Sequence, residues 1–253
     1  MIKEAIIGRQ IIRLETVDST NEHLKRHAEL SDEGTVVIAD KQTEGRGRRG
    51  RTWIDHPGKS LLFSFLLHPK ADQAQLLLNM MWPAVAVAEA LAEFGTDTFV
   101  KWPNDLLIGG RKVGGVLAET IISGDSARMV IGIGLNLNQT LSDFPQYLTV
   151  KAGSVFSQTG QMLGREEALN SILEQLNAFY LSFQQKGAFF VQQKWMQKCC
   201  HINKTVTVLT AKEPVQGVFT SIDEQGFALI NNQENAHRIT NFSHLLLEEE
   251  LCS

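Results

Sequence analysis

Residues 41–51 read KQTEGRGRRGR, setting Lys41, Arg46, Arg48, Arg49 and Arg51 against one acid, Glu44, with glycines at 45, 47 and 50. Glycines let the main chain come close to a ligand and aim successive N–H groups at it, while guanidinium forks add bidentate, charge-assisted hydrogen bonds. Such a stretch suits an anion, a phosphate above all. It is not a Walker A loop, because GxxxxGK[ST] is absent. The plainer reading is a solvated surface loop or a flexible RNA-binding segment. The shortness of the run, the strand-like sequence on both sides and the nearby Trp53 speak for an ordered loop folding over a ligand. Composition alone leaves both readings open.

Three further clusters carry chemistry. Lys101-Trp102-Pro103-Asn104-Asp105 places a cation, a large ring, a fixed φ and two short polar side chains in succession. Taken alone it reads more simply as a turn with Trp102 in the core. Gly110-Arg111-Lys112-Val113-Gly114-Gly115-Val116-Leu117 reads as a hairpin that carries Lys112 into a strand containing Gly114 and Gly115. Glycine weakens a strand and commonly marks close approach by a ligand or another backbone, although an exposed hairpin lysine beside a bulge fits as well. Gly132-Ile133-Gly134-Leu135-Asn136-Leu137-Asn138 only superficially resembles GxGxxG; the third glycine and a following helix are missing, so a dinucleotide fold is a poor match.

The elements that must position these residues can be read from patterning. Ser19 and Glu22 have capping-box spacing, which predicts a helix to about Leu30. Thr35–Asp40 and Ser60–Leu67 read as buried strands, and Gln75–Phe94 as a central core helix that Pro83 should start, bend or interrupt. Phe99–Trp102, Leu106–Ile108, Val113–Ile122 and Arg128–Asn138 follow as strands, with turns at Gly109-Gly110 and Gly124-Asp125, giving a mixed, largely antiparallel sheet. Helical patterning returns from Arg165 to about Gln185 and from Gly187 to Lys198. Beyond it, alternating TVTVLT, GVFTSI and GFALINN segments imply a small all-β module. The division falls near Asn203, giving domains 1–203 and 204–253.

Bulk properties narrow the function class. With 43% hydrophobic residues, 21% charged and a net charge of −4, the 253-residue chain has no general affinity for polyanions. No signal peptide or membrane span is evident, so a cytoplasmic protein is expected. Cys199, Cys200 and Cys252 form neither a disulfide framework nor a metal-ligand pattern and read as reduced thiols.

DSTN at 18–21, QTEGRGRRGR at 42–51 with Trp53, KWPNDL at 101–106, GRKVGGVLAE at 110–119 and GIGLNLN at 132–138 together closely resemble biotin–protein ligases. The resemblance runs strongly from Thr16 to Asn138 and implies an α+β fold: a mixed sheet with packed helices, shared with lipoate ligases, followed by an SH3-like β-barrel. It implies an ATP-dependent, AMP-forming enzyme that makes biotinyl-5'-AMP and biotinylates a biotin carboxyl carrier protein of a carboxylase. ATP and biotin are its substrates, Mg²⁺ is expected with ligands unassigned, and no cofactor is permanently bound. By the same resemblance Ser19, Thr20, Asn21 and Gln42 contact biotin's ureido ring, and Gly45, Arg46, Gly47 and Arg48 cover biotin and the adenylate phosphate. Gly114, Gly115, Gly132 and Gly134 belong to the biotin site. Lys112, with Arg46 and Arg48, is the catalytic group; it reaches the reacting carboxylate and phosphate. Arg49, Arg51, Trp53, Lys101, Asn104 and Asn136 fall on the nucleotide side, and Asp105 is a candidate for positioning the acceptor lysine, with a turn role equally open.

Some features depart from that pattern. Only 17 residues precede Asp18, too few for the DNA-reading domain that bifunctional members carry there. Thr240-Asn241-Phe242-Ser243-His244 replaces the usual Ser-Gly-Glu-like segment, and Ala152-Gly153-Ser154-Val155 stands where Thr-Ser-Leu is common. The family includes monomers and dimers, so a homodimer stays open. The competing functions are a lipoate or octanoate ligase or transferase on the same fold and, in a different class, a noncatalytic nucleic-acid-binding module.

Overall fold

The computed structural model describes residues 5–69, 75–123, 126–232, 235–242 and 244–247. The turn expected at Gly124-Asp125, Ser243 and Cys252 lie outside them. In chain order the elements are β1 (Ile11–Val17), α1 (Thr20–His27), β2 (Val36–Gln42), β3 (Ser60–Leu67), α2 (Leu78–Ala92), β4 (Phe99–Lys101), β5 (Asp105–Ile108), β6 (Arg111–Ser123), β7 (Ser126–Asn136), α3 (Val155–Thr159) and α4 (Arg165–Lys198). The C-terminal strands follow: β8 (Thr205–Leu209), β9 (Val215–Ile222), β10 (Ala228–Asn231), β11 (Ala236–Ile239) and β12 (His244–Leu247).

The first seven strands form one mixed sheet in the order β1-β2-β3-β7-β6-β5-β4. Only β1 and β2 run parallel; the other neighbours are antiparallel. In β3 the apolar run, interrupted only by Ser64, has a simple cause, since both faces are covered. Leu61, Phe63, Phe65 and Leu67 join the core under α2 and α4, while Leu66 packs with Leu24 of α1 and with Ala28 at its C-cap.

Pro83 neither starts nor breaks its helix: α2 runs through it. Every residue of α2 except Glu89 and Ala92 is buried, and packing on all sides outweighs the roughly 3 kcal/mol that an interior proline costs. In α4 the break falls where the sequence pattern put it. Gly187 adopts φ 68°, ψ −160°, and separates two helical stretches. Among the described residues no helix is long and apolar enough to cross a membrane.

β8 to β12 form a second, fully antiparallel sheet in the order β11-β10-β9-β8-β12. Its core is continuous with that of the larger sheet through Trp195 of α4, the buried His201 and Phe219. Trp102 Nε1 donates to Gly226 O at 2.9 Å, which fastens the β4–β5 turn to this smaller sheet.

Candidate active site

The pairing of β6 with β7 sets Gly115 opposite Gly134 and Leu117 opposite Gly132. Side chains are therefore missing from one patch of the sheet, and other groups lie down on it. A Cβ at Gly134 would come within 2.7 Å of the Trp53 indole, and one at Gly132 within 2.1 Å of Asn21 Oδ1. The Lys112 ammonium reaches over Gly115, 3.4 Å from where a Cβ would stand. The result is a glycine-floored cavity of about 420 Å³.

One end of the cavity is neutral and polar. Ser19, Thr20 and Asn21, at the start of α1, are all buried. Thr20 N and Oγ1 donate to Gln42 Oε1 at 2.8 and 3.1 Å. The Ser64 hydroxyl lies 2.6 Å from both Thr20 Oγ1 and Asn21 Oδ1, and Asn21 Nδ2 donates to Glu119 Oε2 at 2.8 Å. The capping box expected from Ser19 and Glu22 does not form. Ser19 occupies the cap position with extended backbone, but its hydroxyl makes no capping bond. Glu22 is drawn instead to Lys25 and Arg46, each at 2.7 Å.

The other end is cationic. Lys112 Nζ pairs with Asp105 Oδ1 at 2.5 Å and lies 5.9 Å from the centre of the Trp53 ring. Its main chain is also held, because beyond the end of β7 residues 151–153 run alongside β6: Lys112 N donates to Lys151 O at 2.8 Å, and Gly153 N to Lys112 O at 2.9 Å. Asn136 Nδ2 donates to Gly153 O at 3.0 Å and its Oδ1 accepts from Gln139 at 3.1 Å, so this amide braces the wall. Asn104 Nδ2 donates to Val116 O at 2.6 Å, while its Oδ1 faces Arg48 at 3.4 Å.

The arginine loop closes over the top. Gly47 N donates to Arg51 O at 2.7 Å and Trp53 N to Gly45 O at 2.9 Å, with Arg49 left-handed at φ 57°. Burial, partly offset by the nearby Asp105 carboxylate, pulls the Arg48 guanidinium down to about 10. His244, which contacts Arg51, is held below the ordinary imidazole value by burial and then by Arg51, Arg49, Arg48 and Lys101. Arg46, Arg48, Arg49, Arg51, Lys101 and Lys112 all line the cavity, a field that attracts an anion.

Of the residues singled out from sequence, all but two line this cavity. Gly45 is buried beneath the loop, where a Cβ would meet Trp53 O at 2.8 Å. Gly114 faces Leu106 and Leu135 on the opposite side of the sheet. Sequence reasoning missed Phe144, Leu148 and Lys151 from the connector after β7, and Phe242, His244 and Leu245 from the C-terminal sheet. For Phe242 and His244 the only signal was the departure from the family pattern at 240–244.

Comparison with known proteins fits this geometry. Residues 14–136 match the Biotin/lipoate A/B protein ligase family. The bifunctional ligase/repressor BirA of Bacillus spizizenii is 32% identical over 244 residues, covering 94% of this chain and 74% of that protein. The chain belongs to the biotin/lipoate A/B protein ligase family. Within that family the biotin--[acetyl-CoA-carboxylase] ligase of Paracoccus denitrificans is 27% identical over 226 residues, covering 86% of this chain and 92% of that protein. The structure of biotin protein ligase from Aquifex aeolicus in complex with biotin and ATP matches with a TM-score of 0.83 and 34% identity, over 95% of this chain and 100% of that one. The mixed sheet with packed helices expected from sequence is therefore the biotin protein ligase fold.

Proposed function

We propose that this family member activates biotin with ATP to biotinyl-5'-AMP, releasing pyrophosphate, and then transfers biotin to the ε-amino group of a lysine on a biotin carboxyl carrier protein or domain. The observation that carries the reading is the lining of one cavity: buried neutral hydrogen-bonding groups at Ser19, Thr20 and Asn21 beside half-buried Gln42, a glycine floor under Trp53, and cations at Arg46, Arg48 and Lys112. A small apolar bicycle with a polar ureido edge suits the neutral end. A carboxylate meeting an α-phosphate suits the other.

In the first step a biotin carboxylate oxygen bonds to the α-phosphorus and the bond to pyrophosphate breaks. Negative charge gathers there, and Lys112, Arg46 and Arg48 offset it. Arg49, Arg51, Lys101, Asn104 and Asn136 form the nucleotide side, Asn136 and Asn104 chiefly by bracing the walls. In the second step a neutral lysine attacks the acyl carbon, the anhydride C–O bond breaks and AMP leaves; Asp105, beside Lys112, is placed to orient the amine and take its proton. No enzyme nucleophile is needed. Among the described residues no group of three or more His, Cys, Asp or Glu gathers as a metal site. Mg²⁺ entering with ATP would neutralise charge on its phosphates.

The five-stranded antiparallel sheet after Asn203 supports reading 204–253 as an SH3-like barrel and 1–203 as the catalytic domain. A cytoplasmic location, where ATP and a carboxylase carrier meet, fits this reading. The deciding experiment compares biotin-, lipoate- and octanoate-dependent ATP–pyrophosphate exchange, with filter binding to nucleic acid alongside. Biotin alone should support exchange. Exchange with only the other acids moves the substrate assignment, and salt-sensitive nucleic-acid binding without any exchange overturns the enzyme reading.

A further inference from the structure

Three of the four loop arginines lean on one short piece of the C-terminal sheet domain. The Phe242 ring is 5% exposed. Trp102 packs against it with ring centres 3.8 Å apart, and the Arg48 guanidinium carbon lies over it, 4.6 Å from the ring centre, with Arg49 at 6.0 Å. On either side, Arg49 Nη2 donates to Asn241 Oδ1 at 3.3 Å and Arg51 contacts His244.

Arg48 has little else to hold it. Its hydrogen bond to Asn104 Oδ1 is long at 3.4 Å, and Asp105, whose carboxylate is paired with Lys112, acts on it only from beyond ion-pair distance. Arg46, by contrast, has Glu22. A guanidinium removed from water without a paired anion needs another source of negative potential, and the face of an aromatic ring supplies it. Trp102 fixes the ring so that this face points at the loop.

We propose that Phe242 is a positioning residue for Arg48: its ring face holds the guanidinium over the cavity, so that the C-terminal module, and not the ligand alone, keeps the arginine loop closed over the activated intermediate. The inference rests on the biotinyl-adenylate reading above. Its consequence is slow release of a reactive anhydride into water. An ordinary packing role for Phe242 against Trp102 makes no such prediction, because packing depends on the shape of the ring and not on its charge distribution.

Ring fluorination separates the two roles, since each fluorine drains the quadrupole while barely changing shape. In the full chain, Phe242 is replaced by phenylalanines carrying one, two and three ring fluorines, and the dissociation rate of biotinyl-adenylate is measured beside the melting temperature. Dissociation should quicken stepwise, reaching about tenfold with three fluorines, at constant melting temperature. The series should be flat in an Arg48→Ala background. By ordinary mutagenesis, Phe242→Leu should release the intermediate faster than Phe242→Tyr. A flat series in the wild-type background, an equal rise with Arg48→Ala, or the reverse order of Leu and Tyr overturns the clasp while leaving the enzyme reading intact. A wild-type protein that forms no biotinyl-adenylate removes the reading beneath it.

Discussion

Replacing Lys112 by alanine removes a cation from a place where two quantities can be weighed separately. The ammonium is paired with Asp105 at 2.5 Å, but the two side chains are 38% and 29% exposed, so the pair contributes only ~0.2–1 kcal/mol to folding. For a chain of this size, roughly 2–4 °C of melting temperature corresponds to each kcal/mol, which limits the loss to about 4 °C. Catalysis is a different matter, since loss of one preorganised donor at a developing negative charge costs ~2.7–4 kcal/mol, about a hundredfold to a thousandfold in rate. Biotin-dependent pyrophosphate exchange at saturating biotin and ATP should therefore fall by at least about a hundredfold while differential scanning calorimetry moves little. Lys112→Arg should not restore the rate fully: the fork is longer than an ammonium and aims its donors differently beside the Trp53 ring and the Gly115 floor. Near-normal exchange by Lys112→Ala under saturation would refute the reasoning and return the residue to a hairpin role.

Arg48→Gly should let biotinyl-adenylate leak, raising its dissociation rate by about tenfold or more, and equal rates for variant and wild type would count against a covering role. Gly132→Ala drives a methyl to within 2.1 Å of Asn21 Oδ1, and overpacking of this kind costs ~1–3 kcal/mol; isothermal titration should find biotin bound about tenfold or more weaker, and an unchanged affinity would detach Asn21 from the site. Burial, with Lys101 and Lys204 adding to it, lowers the imidazole of His201 to about 3. The unfolded chain then takes up the proton first, so stability is lost as pH falls from about 6.5 towards 3, by up to ~1.4 kcal/mol per unit. His201→Phe should flatten the fall in melting temperature between pH 7 and pH 5, and equal falls in both proteins would locate the acid sensitivity elsewhere.

The sheet domain was legible because its signals are local. β3 is apolar on both faces, Gly109-Gly110 turns β5 into β6, and Gly187 breaks α4, each from residues within the element itself. The expectation that Pro83 starts or interrupts its helix fails because the cost is set by neighbours far away in sequence, which bury nearly all of α2. The capping box at Glu22 fails for a similar reason: its spacing is a local cue, and it lost to Lys25 and to Arg46 of the arginine loop. The site divides the same way. Loop arginines, Lys112 and the strand glycines announce themselves by residue type, whereas Phe144, Leu148 and Phe242 are ordinary apolar residues that reach the cavity only through tertiary placement.

The main-chain pairing of Lys112 with residues 151–153 joins two things that would otherwise vary independently. No sheet register sets the length of the connector from Gln139 to Val150, and its Phe144 and Leu148 form part of the cavity wall. Yet its far end is spliced to the backbone of the cation proposed to do the chemistry. An insertion or graft in that connector therefore arrives at the ammonium as a displacement. One wall of the cavity and the position of the ammonium share a ruler, so a change in the connector's length should disturb Lys112 more than a change in its sequence.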